Sequence, residues 1–170
     1  GVLAWKGGTA FLRTIRATVE HTFALVLAVL RRMPAASRHV EGGGWDRDKF
    51  RGRELAGRRL GIVGYGRIGE AVGELAHAFG MQVTAFDPYR EDCGEHTARA
   101  ETLEALLAQT DLLSLHVPLN DETRGMIGSN ELGSLPRGSV LINTSRGGGV
   151  DEGALLSAWA SGQLAGAGLD

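Results

Sequence analysis

The chain has 170 residues, of which 43% are hydrophobic, and its formal net charge at pH 7 is −2. That length suits one domain with a buried core, and the nearly balanced charge argues against nucleic acid as the main partner. The longest apolar run, residues 23–30, is too short to cross a membrane. Because the one cysteine, Cys93, cannot form an internal disulfide and no signal peptide is recognisable, we expect a cytoplasmic location.

The N-terminal segment does not follow the pattern of the rest of the chain. Residues 1–17 lack a strand–turn–helix order and are interpreted as a linker or the remnant of a second domain, and both ends of the chain are expected to be cut points. Residues 18–38 are predicted to form one long helix that Pro34 kinks or breaks. Because this helix is apolar on most faces, we expect it to pack against another domain or subunit.

A polar connection follows this helix. Residues 42–44, three glycines, are predicted to form a flexible link into the stretch 45–59, which is basic but also carries Asp46, Asp48 and Glu54. A solvated loop is the favoured interpretation of that stretch, and an anion-binding patch is the alternative.

Residues 60–90, LGIVGYGRIGEAVGELAHAFGMQVTAFDPYR, combine a hydrophobic strand, a glycine-rich turn, a helix and a second strand that ends on an acid. Gly64, Gly66 and Gly69 have the G-x-G-x-x-G spacing. The first glycine allows a tight turn, the second lets the backbone approach a diphosphate, and the third lets the helix lie against its strand. This order predicts a dinucleotide-binding unit.

The same unit offers backbone donors and one carboxylate. Tyr65 lies between the first two glycines, and the N–H groups of Arg67 and Ile68 at the start of the helix favour negative charge. Asp87 ends the second apolar run, where it can accept hydrogen bonds from an adenosine ribose and would repel a 2′-phosphate. The alternative is a glycine-rich turn followed by a solvated aspartate, which the strand–turn–helix–strand–acid order disfavours.

Helices and strands continue to alternate beyond this unit, which predicts an α/β fold with helices on both faces of one parallel sheet. Thr102 is predicted to cap a short helix at 103–109, and Asp151 a second helix that runs to Ser161 and stops at Gly162. Five strands are predicted in the sheet: 60–64, 82–86, 112–117, 139–144 and 164–169.

Ligands of open parallel sheets bind across the carboxyl ends of the strands, so residues just after each strand are site candidates. They are His116, Val117 and Pro118, then Asn143, Thr144, Ser145, Arg146 and Gly147, and finally Asp170. The guanidinium of Arg146 can bind a carboxylate at two points and polarise a carbonyl, although a surface arginine in a glycine-rich loop is the alternative. For His116 a packing or hydrogen-bonding role is favoured over a catalytic one, and Asp170 is a loop acid or part of a cofactor site.

From about residue 18 to residue 170 the chain resembles the nucleotide-binding domain of the D-isomer-specific 2-hydroxyacid dehydrogenases. The matching stretches are ATVEHTFALVLAVLRRMP, LGIVGYGRIGEAV, FGMQVTAFDPY, DLLSLHVPLNDETRGMIG, LINTSRGGGVDEGALLSAW and SGQLAGAGLD. The resemblance implies a Rossmann-type doubly wound parallel sheet with a long N-terminal interdomain or dimer helix. Residues 18–170 would be the NAD-binding domain, and residues 1–17 a linker or remnant of the substrate domain.

The resemblance also implies roles for the candidate residues. Arg146 would bind the substrate's carboxylate and keto oxygen, and Asp170 would face the nicotinamide carboxamide. The remaining implied cofactor contacts are His116, Val117, Pro118 and Thr123 on the adenosine side and Thr144 and Ser145 on the nicotinamide side. Two departures from the family pattern are Asn120, where threonine is common, and Gly149, where a larger apolar residue is usual and whose small size is expected to loosen the loop after Arg146.

The implied activity is that of an NAD-dependent oxidoreductase that interconverts a D-2-hydroxy acid and a 2-keto acid, as a homodimer. The family's general-acid histidine and its glutamate partner lie after position 170, so residues 1–170 are expected to bind NAD(H), preferring NADH to NADPH, without turning over substrate. The alternatives are an NAD-sensing, partner-recruiting module, as the family's corepressors resemble, and an unrelated Rossmann enzyme, which the SRGG and AGAGLD stretches disfavour.

Overall fold

A computed structural model describes residues 16–170, so nearly all of the predicted linker at 1–17 lies outside the described residues. Its centre is a six-stranded parallel sheet in the order β3-β2-β1-β4-β5-β6. The strands are β1 (Arg59–Val63), β2 (Gln82–Phe86), β3 (Thr97–Arg99), β4 (Leu112–Leu115), β5 (Ser139–Asn143) and β6 (Leu164–Leu169). This order is that of the dinucleotide-binding doubly wound fold, so the predicted fold class is confirmed.

Residues 16–170 contain six α-helices, and all but the second lie against the sheet. They are α1 (Ala17–Leu30), α2 (Met33–Glu41), α3 (Arg67–Ala78), α4 (Leu103–Leu107), α5 (Ser129–Ser134) and α6 (Glu152–Ala160). The predicted caps are confirmed, because the Thr102 hydroxyl accepts from the Ala105 N–H at 3.1 Å and the Asp151 carboxylate accepts from the Ala154 N–H at 2.7 Å. No helix of this described part is long and apolar enough to cross a membrane.

Alternating side chains of the strands build one core layer on each face of the sheet. On β5, Val140 and Ile142 pack with the α1 and α3 layer, which includes Phe23 and Val72. Leu141, between them, packs in the opposite layer with side chains of α4, α5 and α6. Because both faces are covered, the strands read as continuous apolar runs, and the loops at the carboxyl edge are left free to form a site.

The strand count predicted from sequence is wrong. The additional strand is β3, which pairs in parallel with β2 and places Thr97 opposite Val83. With only three residues, TAR, it carries neither the apolar run nor the alternation by which strands are recognised. It forms the edge of the sheet next to the predicted ribose-binding strand.

The predicted long helix is two helices, with the break at residues 31–32 rather than at Pro34. Arg32 has a left-handed backbone (φ 56°), and Pro34 lies in the first turn of α2, where a missing N–H costs nothing. The expectation that this helix packs against another domain or subunit rather than against its own sheet is wrong for α1, which lies on β5 and β6. Glycines of β6 explain this, since a Cβ at Gly166 would lie 2.8 Å from the Val29 side chain and one at Gly168 would lie 3.0 Å from Leu25.

The connection from α2 to β1 is mostly exposed, in agreement with the solvated loop that was favoured from its sequence. The three glycines at 42–44 form a regular helix end, because the Gly42 and Gly44 N–H groups donate to Arg38 and His39 carbonyls. Gly43 has a φ of 81°, a conformation that glycine adopts without strain.

Candidate dinucleotide site

A cavity of about 340 Å³ lies at the carboxyl edge of the sheet, where the strand order reverses between β1 and β4. The candidate residues that line it follow three different strands: Gly64, Gly66, Asp87, His116, Val117, Pro118 and Thr123. Its wall is more apolar than polar, as suits an adenosine. Seven of the sequence-predicted residues are therefore brought together in one place.

The glycine-rich turn has the geometry that its sequence predicts. Gly64 has a φ of 87°, and a Cβ on it would lie 2.6 Å from the carbonyl oxygen of His116. A Cβ on Gly69 would collide with the carbonyl oxygen of Gly64, so only glycine lets the helix lie this close to the turn. A Cβ on Gly66 would meet nothing within 4 Å, which leaves open space in front of the turn.

The start of α3 faces that space. Gly66 is the N-cap residue and has no side chain with which to cap the helix, so the first N–H groups, which include those of Arg67 and Ile68, receive no acceptor from the N-cap position. The helix dipole adds positive potential at the same point. Tyr65 differs from its neighbours because its ring is buried away from the cavity and its N–H is already bonded to Asp87.

Asp87 is held by the backbone on both sides. Its Oδ2 accepts from the Tyr65 N–H at 2.8 Å, and its Oδ1 accepts from the Tyr89 N–H at 2.9 Å. Each carboxylate oxygen can accept a further hydrogen bond, since it has two lone pairs. The carboxylate is therefore oriented toward the cavity before any ligand is present.

His116 lies at the end of β4 with its ring against the same cavity. Its backbone N–H donates to Val63, and its Nε2 lies 2.9 Å from the Ser114 hydroxyl. Burial of the ring lowers the pKa of His116 from 6.5 to about 4, so the imidazole is neutral at pH 7. The packing and hydrogen-bonding role favoured from the sequence agrees with these contacts.

Asn120 organises the turn that presents Thr123. Its side-chain oxygen accepts from the N–H groups of Glu122 and Thr123, both at 3.0 Å. The Thr123 hydroxyl in turn donates to the Pro118 carbonyl at 2.6 Å. Asn120, which stands where threonine is common in the family, therefore still supplies a side-chain hydrogen-bond acceptor to this turn.

A second group of candidates follows β5. Asn143 ties the loop together, because its Nδ2 donates to the Arg146 carbonyl at 3.0 Å and its Oδ1 accepts from the Ser145 hydroxyl at 2.7 Å. Thr144 is buried, and its hydroxyl lies 2.9 Å from that of Thr22 on α1. Arg146 is exposed, and its guanidinium donates only to the carbonyl of Ser145, at 2.8 Å, within residues 16–170.

The glycines after Arg146 form a short 3-10 turn, Gly147–Gly149, that is hydrogen-bonded on both sides. The Gly149 N–H donates to the Arg146 carbonyl at 3.2 Å, and the Gly149 carbonyl accepts from Ile127 at 3.1 Å. These bonds hold the loop at residue 149 without a side chain. Whether the missing side chain loosens the loop in solution stays a prediction.

Asp170 follows β6, and its N–H donates to the Asn143 carbonyl at 3.1 Å. Its carboxylate lies 3.8 Å from Nε2 of His21 on α1. Sequence reasoning missed His21, although three consecutive polar residues, Glu20, His21 and Thr22, in an apolar helix are a usable signal. It also missed Tyr89 and Glu122, which line the cavity and are joined by a 2.8 Å hydrogen bond.

The two groups of residues fit an extended dinucleotide. The cavity lies over β2, β1 and β4, and the Arg146 loop and Asp170 follow β5 and β6 on the same edge. With strands about 4.8 Å apart, β6 lies roughly 14 Å from β1, the length of a dinucleotide rather than of a mononucleotide. Within residues 16–170, no cluster of three His, Cys, Asp or Glu side chains could hold a metal ion.

A family model described as D-isomer specific 2-hydroxyacid dehydrogenase, NAD binding domain, matches residues 23–170. The chain belongs to this family. The match includes every candidate site residue from Gly64 to Asp170, and it assigns this 2-hydroxyacid dehydrogenase domain its cofactor class, NAD. The resemblance inferred from the sequence is thereby confirmed.

Similar proteins agree with this membership. D-3-phosphoglycerate dehydrogenase of Bacillus subtilis is 41% identical over 155 residues, which cover 90% of this chain and 30% of that protein. Glyoxylate reductase of Thermococcus litoralis is 44% identical over 163 residues, 91% of this chain and 49% of that protein. The crystal structure of D-lactate dehydrogenase from Aquifex aeolicus, complexed with NAD and lactic acid, matches with a TM-score of 0.87 at 37% identity and covers 93% of this chain and 48% of that one.

The chain thus spans about half, or less, of the length of these 2-hydroxyacid dehydrogenase relatives. All three are dehydrogenases or reductases by name, and the partner-recruiting alternative finds no support among them.

Proposed function

We propose that this domain serves an NAD-dependent D-2-hydroxyacid dehydrogenase that interconverts a D-2-hydroxy acid and a 2-keto acid, with residues 18–170 as the cofactor domain. The observation that carries the proposal is the position of Asp87, whose backbone-anchored carboxylate faces the cavity at the point where the strand order reverses. A carboxylate there suits a ribose diol.

In this proposal the adenosine occupies the 340 Å³ cavity between His116, Pro118 and Asp87, and Thr123 closes its far side. The diphosphate lies against the glycine-rich turn, where the N–H groups at the start of α3 donate hydrogen bonds to it and the helix dipole stabilises its negative charge. The nicotinamide end extends toward the loop after β5, next to Thr144, Ser145 and Asp170, the neighbours that the family resemblance implies.

Arg146 is the proposed catalytic residue of this domain. When bound, the nicotinamide ring supplies the hydride chemistry. The exposed guanidinium of Arg146 has N–H groups left over after its bond to Ser145, so it can bind the substrate carboxylate and the keto oxygen together. A fixed cation at that oxygen stabilises the negative charge that develops as the ketone is reduced.

Asp87 makes NADH the preferred cofactor. Its charge accepts hydrogen bonds from the ribose hydroxyls and repels a 2′-phosphate. Charge-assisted hydrogen bonds contribute about 1.5 to 3 kcal/mol, or roughly tenfold to 150-fold in affinity. Calorimetric titration of the purified chain with NADH and with NADPH tests this, and equal affinities would contradict the placement of Asp87.

Residues 1–170 on their own are expected to bind NADH without turning over a 2-keto acid. The family's general-acid histidine and its glutamate partner belong to positions after 170, and the substrate domain is not among the described residues. Spectrophotometric assay of NADH oxidation with glyoxylate, hydroxypyruvate or pyruvate checks this. Steady-state turnover by the chain alone would contradict the proposal that the general acid and the substrate domain lie outside residues 1–170.

We also propose that the protein is a cytoplasmic homodimer. The unpaired Cys93 suits a reducing compartment. An apolar groove of about 610 Å³ between α1, α2 and α6, flanked by the exposed side chains of Leu156 and Trp159, is a surface that a second copy can cover. Sedimentation of the chain with and without Trp159→Glu tests the dimer, and a wild-type monomer at all concentrations would reject this surface.

A further inference from the structure

Tyr65, in the middle of the glycine-rich turn, is held by hydrogen bonds at both its main chain and its side chain. Its N–H donates to Oδ2 of Asp87 at 2.8 Å, and its hydroxyl donates to Oγ1 of Thr97 at 2.8 Å. The residue is only 2% exposed and its bond to Thr97 is buried, so water does not compete with that bond. The turn is thereby joined to the ribose-binding carboxylate on one side and to the edge strand β3 on the other.

The bond between Tyr65 and Thr97 sits in a space shaped for it. A Cβ on Gly73 of α3 would lie 3.1 Å from the tyrosine hydroxyl and 3.3 Å from Oγ1 of Thr97, so the helix has no side chain where the two hydroxyls meet. The guanidinium of Arg90 lies 5.7 Å from the centre of the tyrosine ring and 3.8 Å from Glu70. Burial raises the pKa of Tyr65, so its hydroxyl stays a donor at neutral pH.

The two glycines that flank Tyr65 are bonded through the main chain alone: the Gly64 N–H donates to the Phe86 carbonyl and the Gly66 carbonyl accepts from the Glu70 N–H, both at 2.9 Å. Gly64 and Gly66 carry no side chain, and a Cβ on Gly66 would meet nothing within 4 Å. Glycine backbones have more conformational freedom than any other, so a turn built on them gains further order from a side-chain anchor. Tyr65 is the one residue of the G-x-G segment whose side chain can do this.

We propose that Tyr65 is a positioning residue whose hydroxyl bond to Thr97 holds the turn at 64–66 in the conformation that receives a diphosphate, so that the edge strand β3 contributes to cofactor affinity. The inference rests on the proposed function, because it concerns the diphosphate half of the same site. A binding site that is ordered before its ligand arrives avoids the entropy cost of ordering on binding.

The test compares two ligands that differ in the diphosphate. Tyr65→Phe and Thr97→Val each remove one hydroxyl, and each is expected to weaken ADP-ribose by about three- to tenfold, the range of one hydrogen bond. Adenosine, followed by NMR titration, should change less than about twofold, because Asp87 keeps its second anchor at the Tyr89 N–H. The double variant should bind ADP-ribose no worse than either single variant, since both remove the same bond.

Thr110→Val is the matched control. Thr110 is also buried, and its hydroxyl donates to the Leu106 carbonyl at 2.7 Å, far from the turn. This variant should lose stability but keep its affinity for ADP-ribose. An equal loss of ADP-ribose and adenosine affinity in Tyr65→Phe, unchanged ADP-ribose affinity, or additive losses in the double variant would each overturn the proposal.

Hydrogen exchange of the nucleotide-free protein separates this inference from the proposed function. In Tyr65→Phe the amide of residue 65, which is bonded to Asp87, should exchange faster, while amides of β4 and β5 keep wild-type rates. Unchanged exchange at residue 65 would reject the positioning role. Failure of the wild-type chain to bind NADH or ADP-ribose would instead reject the proposed function, and the exchange result would still decide the role of Tyr65.

Discussion

The hydroxyl of Thr22 on α1 lies 2.9 Å from the hydroxyl of Thr144, 122 positions away in the sequence and directly before the Ser145–Arg146 pair. Both residues are buried. Thr22 donates its proton to the Thr18 carbonyl at 2.7 Å, so Thr144 must be the donor between the two hydroxyls. This bond ties the first helix to the loop that carries the proposed catalytic arginine.

We expect Thr22→Val to destabilise the chain by about 1 to 3 kcal/mol, because it leaves the buried Thr144 hydroxyl without an acceptor. Urea unfolding followed by circular dichroism measures the loss. The double variant Thr22→Val/Thr144→Val removes both partners and should lie closer to wild type than the sum of the single losses. A strictly additive double variant would show that the two hydroxyls do not depend on each other.

Asp87→Asn should weaken NADH binding by about tenfold to 150-fold and reduce the preference for NADH over NADPH, because it removes the charge proposed to bind the ribose and repel a 2′-phosphate. Fluorescence titration with both cofactors measures this ratio. If both affinities fell by the same factor, Asp87 would be a structural residue of the turn rather than the residue that selects the cofactor.

Asp111→Asn is the control for Asp87→Asn, because it makes the same substitution at the opposite edge of the sheet. Asp111 accepts from the Arg59 guanidinium at 2.6 Å, and this hydrogen bond lowers the pKa of the carboxyl group. Because the pKa is lower in the folded state, the Asp111–Arg59 pair stabilises the fold at pH values above the ordinary pKa of 3.8. This stabilisation is lost as the pH falls below 3.8 and the carboxylate is protonated. Because Arg59 is 43% exposed, we expect a loss of only about 1 kcal/mol at pH 7, with NADH affinity unchanged.

His116 should make the fold sensitive to mild acid. Its folded-state pKa is about 4, below the ordinary 6.5, so the unfolded chain takes up a proton first as pH falls. Stability is therefore full above pH 6.5 and declines toward pH 4, by roughly 3 kcal/mol over that range. His116→Gln, which keeps a partner for the Ser114 hydroxyl, should lose less over the same range in urea unfolding at several pH values. Equal losses of stability in the wild type and in His116→Gln would show that His116 does not cause the acid sensitivity.

Arg146→Gln should leave the fold almost unchanged, within about 0.5 kcal/mol, because the side chain is exposed and, among the described residues, bonds only to the carbonyl of Ser145. In a protein that joins this domain to a substrate domain, kcat/KM should fall by at least about a hundredfold while NADH affinity changes less than about threefold. Arg146→Lys tests the two-point geometry and should recover only part of the activity. Undiminished kcat/KM in Arg146→Gln would remove the arginine from the mechanism.

The parts of the fold that could be predicted are those with a local signal. Gly64, Gly66 and Gly69 each meet a steric or spatial requirement at the turn, and the caps at Thr102 and Asp151 follow from side chains that bond their own helix. The placement of candidates along the sheet edge followed from one rule of parallel sheets. Those features depend on neighbours in sequence.

What could not be predicted depends on distant contacts. The edge strand β3 exists because Thr97 lies beside Val83 and under Tyr65, and three residues carry no periodic pattern. The packing of α1 on the sheet depends on β6, which begins more than a hundred residues later. The polar stretch around His21 is a local signal for that part of α1, but its pairing with Asp170 joins opposite ends of the described chain and has no local signal.

The lack of side chains at Gly166 and Gly168 also affects the amino-terminal half of α1, where Thr22 and His21 lie. Because the helix rests directly on these two residues, its height above the sheet is set by the absence of two methyl groups. Alanine at position 168 would raise the helix and carry Thr22 and His21 away from the loop tips they contact. Two glycines that lie outside the proposed site therefore help to set the positions of Thr144 and Asp170 at the ends of β5 and β6.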